Sequence, residues 1–150
     1  MPVKSFPAAV RFHFLEQSLH PKERRRLKSF LLSIFKQERT AVQSLDYIFC
    51  SDTYLLEINQ QFLQHNFFTD IISFNLAAEN TPVAGEIYIS LERVRENAED
   101  LEQAFSTELH RVIFHGVLHL CGYKDKSTAD TKKMRAKELY YLKRYFKKIP

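Results

Sequence analysis

The sequence predicts an α+β fold, one small sheet of four strands covered by about five helices. Three observations carry this. Segments with apolar residues at helical spacing outnumber those that read as strands. Two strand-like segments, 71–76 and 85–91, follow one another with no helix between them, so strands and helices do not alternate as in a doubly wound sheet. Only 3 glycines and 5 prolines in 150 residues leave little room for long irregular connections.

Residues 9–14 (AVRFHF) alternate and read as a first strand. Pro21 suits a first helical position and opens a basic segment that repeats Leu27, Phe30, Leu31, Ile34 and Phe35 on one helix face. Residues 43–50 (QSLDYIFC) read as a second strand. Ser51 or Asp52 can cap the helix that presents Leu55, Leu56, Ile58, Phe62 and Leu63. The run IISFNL at 71–76 is a third strand, and GEIYISL at 85–91 a fourth that can pair with it as a hairpin. Ser90 can cap a helix over 91–103, and another helix starts near Ser106 and ends at Gly122. Ser127, with Asp130 three residues on, caps the last helix, which carries Met134, Tyr141, Leu142 and Tyr145 as a stripe.

Length and composition fit one globular domain over 1–150: 45% hydrophobic and 27% charged residues are neither disordered nor fibrous. No apolar run reaches the ~20 residues of a membrane helix, and the N-terminus lacks the clean apolar stretch of a signal peptide. Cys50 and Cys121 are the only thiols, so a reducing, cytoplasmic setting is expected. Charge is segregated. Residues 1–39 hold nine Lys or Arg against three acids, 40–123 three against twelve, and 124–150 ten against three. If the two basic ends meet in the fold, they form a surface suited to a polyanion; the alternative is a solvated helix face.

The stretch that carries chemistry is HGVLHLCGYKD, 115–125. His115 and His119, four apart on a helix, project both rings from one face, the geometry by which two imidazoles hold one ion. Gly122 supplies the left-handed helix stop. It turns the chain back, so that Asp125 can reach the same ion. The expectation is one divalent metal, by preference zinc, held by His115, His119 and Asp125 at the end of a helix in a cleft, activating a water for hydrolysis. A carboxylate third ligand also widens metal choice toward manganese, iron or nickel.

The spacing is that of H-E-x-x-H-x-x-G-x-x-H metalloproteases, but Gly116 stands at the glutamate general base and Asp125 at the third histidine. Glu108, seven residues earlier on nearly the same face, lies roughly 10 Å along the axis, too far for direct proton transfer. No side chain is therefore assigned as general base. Asp125 can also be read as a turn residue before the last helix.

At these residues the sequence resembles the YbeY-type bacterial endoribonucleases, the 16S rRNA maturation factors. HGVLHLCGY resembles that family's histidine signature. NQQF at 59–62, TDIISF at 69–74 and GEIYIS at 85–90 resemble its Asn-containing helix, Thr-Asp-Val-Leu-Ser-Phe strand and Gly-Asp-Ile strand. The resemblance is clear over 59–125. It implies a mixed four-stranded sheet with helices around a positive cleft, one metal in that cleft, and single-strand RNA cleavage in 16S rRNA 3′-end maturation and ribosome quality control on the small subunit. The family's third ligand is usually His, where this chain has Asp125. It tends to carry an arginine where this chain has Leu63, with His65 nearby as a substitute donor. Lys124, Thr69 and Ser73 are further candidate RNA contacts, although turn and capping roles also account for Thr69 and its neighbour Asp70. Three other readings stay open: an assembly factor whose metal staples helix to loop, a metalloprotease, and an Fe(II) oxygenase with two His and one carboxylate.

Overall fold

The structure, a computed structural model, describes residues 8–15 and 21–150; the side chains of Pro21 and Lys22, and residues 1–7 of the N-terminal stretch 1–14 on which the signal-peptide expectation falls, lie outside the description. The elements run β1 (Ala9–Phe14), α1 (Pro21–Gln37), β2 (Val42–Cys50), α2 (Asp52–Leu63), β3 (Ile71–Asn75), β4 (Val83–Ser90), α3 (Leu91–Asp100), α4 (Phe105–Leu120) and α5 (Thr128–Tyr145). The sheet order is β1-β2-β4-β3. β1, β2 and β4 are parallel, and β3 pairs antiparallel with β4, so the sheet is mixed. The parallel pair β1/β2 needs a crossover, which α1 supplies.

The expected caps form: Ser51, Ser90 and Ser127 accept from the main-chain N–H of Tyr54, Arg93 and Asp130. Differences lie at element ends. β4 begins at Val83, two residues early, because Val83 already pairs with Val42. α3 ends at Asp100 rather than 103, where Glu102 takes a left-handed φ of 52°.

Alternation sorts the sheet into two faces. Leu45, Tyr47, Phe49, Ile87 and Ile89 are fully buried on one face against Phe35, Val112, Ile113, Phe114 and Val117 of α1 and α4. The other face holds a smaller core of Cys50, Leu55, Ile58 and Ile72 under α2. Two glycines let α4 close onto the sheet. A Cβ on Gly116 would stand 2.8 Å from Ile87 Cδ1 and 3.1 Å from Ile71 Cδ1; one on Gly85 would stand 2.6 Å from Leu120 Cδ1. The Tyr47 hydroxyl donates to the Ile113 carbonyl across 2.7 Å, fixing β2 to the middle of α4.

α5 packs beside α4 and reaches α1: Gln37 donates to the Tyr140 hydroxyl, and the Arg26 guanidinium lies 3.9 Å over the Tyr145 ring. The two basic ends of the chain are therefore neighbours. No described helix is long and apolar enough to cross a membrane.

Candidate active site

The C-terminal end of α4 builds the site by its main chain. Gly122 takes a φ of +103°. Its N–H donates to the His119 carbonyl and that of Tyr123 to the Leu118 carbonyl, the paired closure that ends a helix and reverses the chain. The reversal brings the Tyr123 carbonyl to 3.1 Å from His119 Nδ1. A carbonyl only accepts, so Nδ1 carries the proton and the lone pair of His119 sits on Nε2.

His115 is oriented from another helix. Its Nδ1 lies 2.6 Å from Glu138 Oε2 on α5. Glu138 is buried, 1% exposed, and accepts in addition from Arg111 and Arg135, each at 3.1 Å. Burial pushes its carboxyl up, but the bonds from His115 and the charges of Arg111, His115 and Arg135 outweigh that and leave it below the ordinary carboxylate value. Arg111 is held from below by Glu108, fully buried and bonded at Nε and Nη2. Glu108 is thus committed to Arg111 and to Gln103, which excludes it as a base for the site on chemistry as well as distance.

With Nδ1 donating to Glu138, His115 turns Nε2 toward Asp125 Oδ2, 3.2 Å away. An imidazole lone pair and a carboxylate do not face each other stably without a positive charge between them. A proton on Nε2 satisfies this, and so does a cation. Two donors bound at about 2.0–2.1 Å on a tetrahedral ion stand roughly 3.3 Å apart, so the observed separation fits two ligands of one zinc-sized ion. His119, whose Nε2 is unprotonated, stands one helical turn away. Among the described residues no set of three His, Cys, Asp or Glu side chains already converges in metal-holding geometry; the chemistry and tautomers of His115, His119 and Asp125 nevertheless fit the ion.

These groups open on a cleft of about 540 Å³, ligand-sized. His115, His119 and Asp125 lie in its lining with Asp70, Thr69 and Ser73 of the β3 edge. Leu63, His65 and Phe67 form one wall, Lys126 and Arg135 the opposite chemistry. Asp70 is pushed up by burial, which exceeds the opposing charges of Arg111 and His115. Of the residues singled out from sequence, His65, Thr69 and Ser73 are in the cleft with the three proposed ligands, while Lys124 is exposed and outside its lining. Glu138, Arg111, Lys126 and Arg135 were not singled out. Lys126 and Arg135 could have been sought in the basic character of the last segment; nothing local marks Glu138, 23 positions from His115. Gly116, where the protease motif has glutamate, faces Ile87 and Ile71 of the sheet, so a side chain there would enter the core.

The family model described as Endoribonuclease YbeY matches residues 14–146. Endoribonuclease YbeY of Cytophaga hutchinsonii is 44% identical over 128 residues, 85% of this chain and 90% of the relative. That of Flavobacterium psychrophilum is 53% identical over 110 residues, 73% of this chain and 78% of the relative. The solution structure of TM1509 from Thermotoga maritima, 33% identical, matches with a TM-score of 0.64 over 89% of this chain and 88% of that one. The family model runs through the cleft and both helices that build it, and the chain belongs to the YbeY endoribonuclease family.

Proposed function

We propose that the chain is a metal-dependent, single-strand-specific endoribonuclease acting on rRNA of the small ribosomal subunit, in 16S rRNA 3′-end maturation and quality control, in the cytoplasm. The observation that carries the metal dependence is the pairing of His115 Nε2 with Asp125 Oδ2 at 3.2 Å beside His119, with both histidine tautomers set by Glu138 and the Tyr123 carbonyl. His115, His119 and Asp125 would hold one divalent ion, by preference zinc, and that ion would supply an activated water and neutralise charge on the phosphodiester. The chain's own groups do the rest. Glu138 keeps a proton on His115 Nδ1 and so keeps Nε2 a donor. Lys126 and Arg135 attract the phosphate backbone. Thr69 and Ser73 offer hydroxyls to substrate from the strand edge.

The staple reading needs a fourth protein ligand. Cys121, the thiol nearest in sequence, is pushed up to about 11 by burial, against a hydrogen bond with Thr40 and beside Glu38; it packs against the main core and is not in the lining of the cleft. The protease reading needs a carboxylate from elsewhere. Glu108 and Glu138 are both bonded to Arg111.

The test is metal content of chelator-free protein, wild type beside His119→Ala and Asp125→Ala, with each sample assayed on single-stranded RNA. One metal per chain in wild type, lost in both variants together with cleavage, is the expected result. Stoichiometric metal without cleavage at any salt concentration would shift the reading to an assembly factor. Metal retained in Asp125→Ala would remove Asp125 from the ligand set.

A further inference from the structure

The two walls of the cleft differ in kind. The connection from α2 to β3 is exposed throughout 64–68, yet it is rich in rings: Phe67 is 55% exposed and His65 stacks on it, centroids 5.0 Å apart and planes inclined by 22°. Leu63, 40% exposed, continues this wall into the cleft. The other wall carries Lys126 and Arg135, exposed, with Arg135 also paired to Glu138. His115, His119 and Asp125 line the same cleft.

Exposed aromatic rings on a loop ordinarily fold inward, and here the main chain prevents it. Asn59 on α2 is buried, 1% exposed, and its side-chain amide donates to the Phe67 carbonyl at 2.8 Å. Gln64 takes a left-handed φ of 55° that ends α2, and His65 N–H returns to the Asn59 carbonyl. One buried asparagine thus holds both ends of the turn and keeps the stacked pair on the lip of the cleft.

We propose that His65 and Phe67 form a stacking platform for an unpaired base of the RNA substrate, while Lys126 and Arg135 take the phosphates on the opposite wall, so that the strand is oriented across the three candidate metal ligands. This rests on the endoribonuclease reading. Base faces are available for such stacking in a single strand and are covered in a duplex, so the platform supplies a physical source for single-strand preference. It also accounts for Leu63 where a cation would otherwise meet phosphate. This wall reads the base and leaves the phosphate to the other.

The chain contains no tryptophan, so Phe67→Trp places a lone fluorescent ring on the lip. Binding of a short unstructured RNA is followed by anisotropy of an end label, with chelator present to keep the strand intact, and by tryptophan emission. Phe67→Trp should bind at least as tightly as wild type, and its emission should be quenched on adding single-stranded RNA but not on adding inorganic polyphosphate. The double variant His65→Ala/Phe67→Ala should lose roughly five- to a hundredfold in affinity with an unchanged salt slope. Lys126→Ala should instead lower that slope by about 0.7. Unchanged emission on a bound strand or wild-type affinity in the double variant would each overturn the platform while leaving the nuclease reading intact, and equal wild-type affinity for duplex and single strand would overturn the platform together with the single-strand preference. No RNA binding by wild type at all would overturn both.

Discussion

The floor of the cleft and its aromatic lip are stabilised in opposite ways. Beneath His115, three charged side chains, Glu108, Arg111 and Glu138, satisfy one another and the imidazole almost out of reach of water. At the lip, rings stand in solvent and one amide, that of Asn59, holds them. The floor is therefore rigid and intolerant, because removing one partner strands a buried charge. The lip can change its side chains with little effect on stability as long as Asn59 stays. A site of this kind fixes its chemistry from below and leaves its substrate preference to the rim.

The largest effect should come from breaking the floor. Glu138→Ala leaves Arg111 with Glu108 alone and His115 Nδ1 without its acceptor, and we expect a loss of about 3–5 kcal/mol in denaturant-unfolding free energy. Glu138→Gln keeps shape but not charge. In that variant metal affinity, read by competition with a chromophoric chelator, should fall about 10–100-fold. Unchanged affinity in the glutamine variant would separate Glu138 from the site.

Next is Gly116→Glu, which writes the protease motif back into the sequence. The new side chain meets Ile87 and Ile71, and overpacking together with a buried carboxylate should cost about 3 kcal/mol or more. No casein cleavage should appear. A stable, proteolytic Gly116→Glu protein would contradict the packing of α4 on the sheet.

Both comparisons show what the sequence made legible. Local grammar was readable: the three serine caps, the glycine stop at Gly122 and the i, i+4 histidines depend on residues within a few positions of one another. Long-range complementarity was not. Nothing in the sequence near Glu138 says that it will lie under His115, since that depends on how α5 crosses α4. Lys124 and Lys126 are equivalent as sequence, and only the path of the chain between Gly122 and Ser127 puts the second into the cleft and the first outside. Gly116 read as a lost catalytic residue, whereas the sheet requires it to be small.

A smaller effect concerns the pH dependence of stability, with two groups acting in the same direction. Burial pushes His110 below its ordinary value of 6.5. As pH falls below that value the unfolded chain takes up a proton that the folded chain refuses, so stability decreases until the depressed folded pKa is passed. Glu38 receives bonds from Tyr123, Tyr141 and Lys137. Burial raises its carboxyl, the bonds from Tyr141, Tyr123 and Lys137 outweigh that, and the net is below its ordinary 4.5. Its contribution is present above that value and is lost as pH falls through the lowered one. Denaturation midpoints should therefore decline in two stages on acidification. His110→Phe should flatten the upper stage and Glu38→Gln the lower, and midpoints independent of pH from 7 to 4 in wild type would contradict both assignments.

The smallest expected effect is the sharpest test of the rim. Lys124 and Lys126 flank Asp125 and carry the same charge, so long-range attraction of RNA treats them nearly alike. Lys126 lines the cleft and Lys124 does not. Lys124→Ala should then change RNA affinity by less than about twofold at physiological salt, where screening over ~8 Å mutes a charge outside the binding path. Lys126→Ala should lose a direct phosphate contact and with it part of the salt slope. Equal losses in the two variants would mean that the segment 124–126 acts only as a diffuse positive field, and the phosphate wall would then reduce to Arg135.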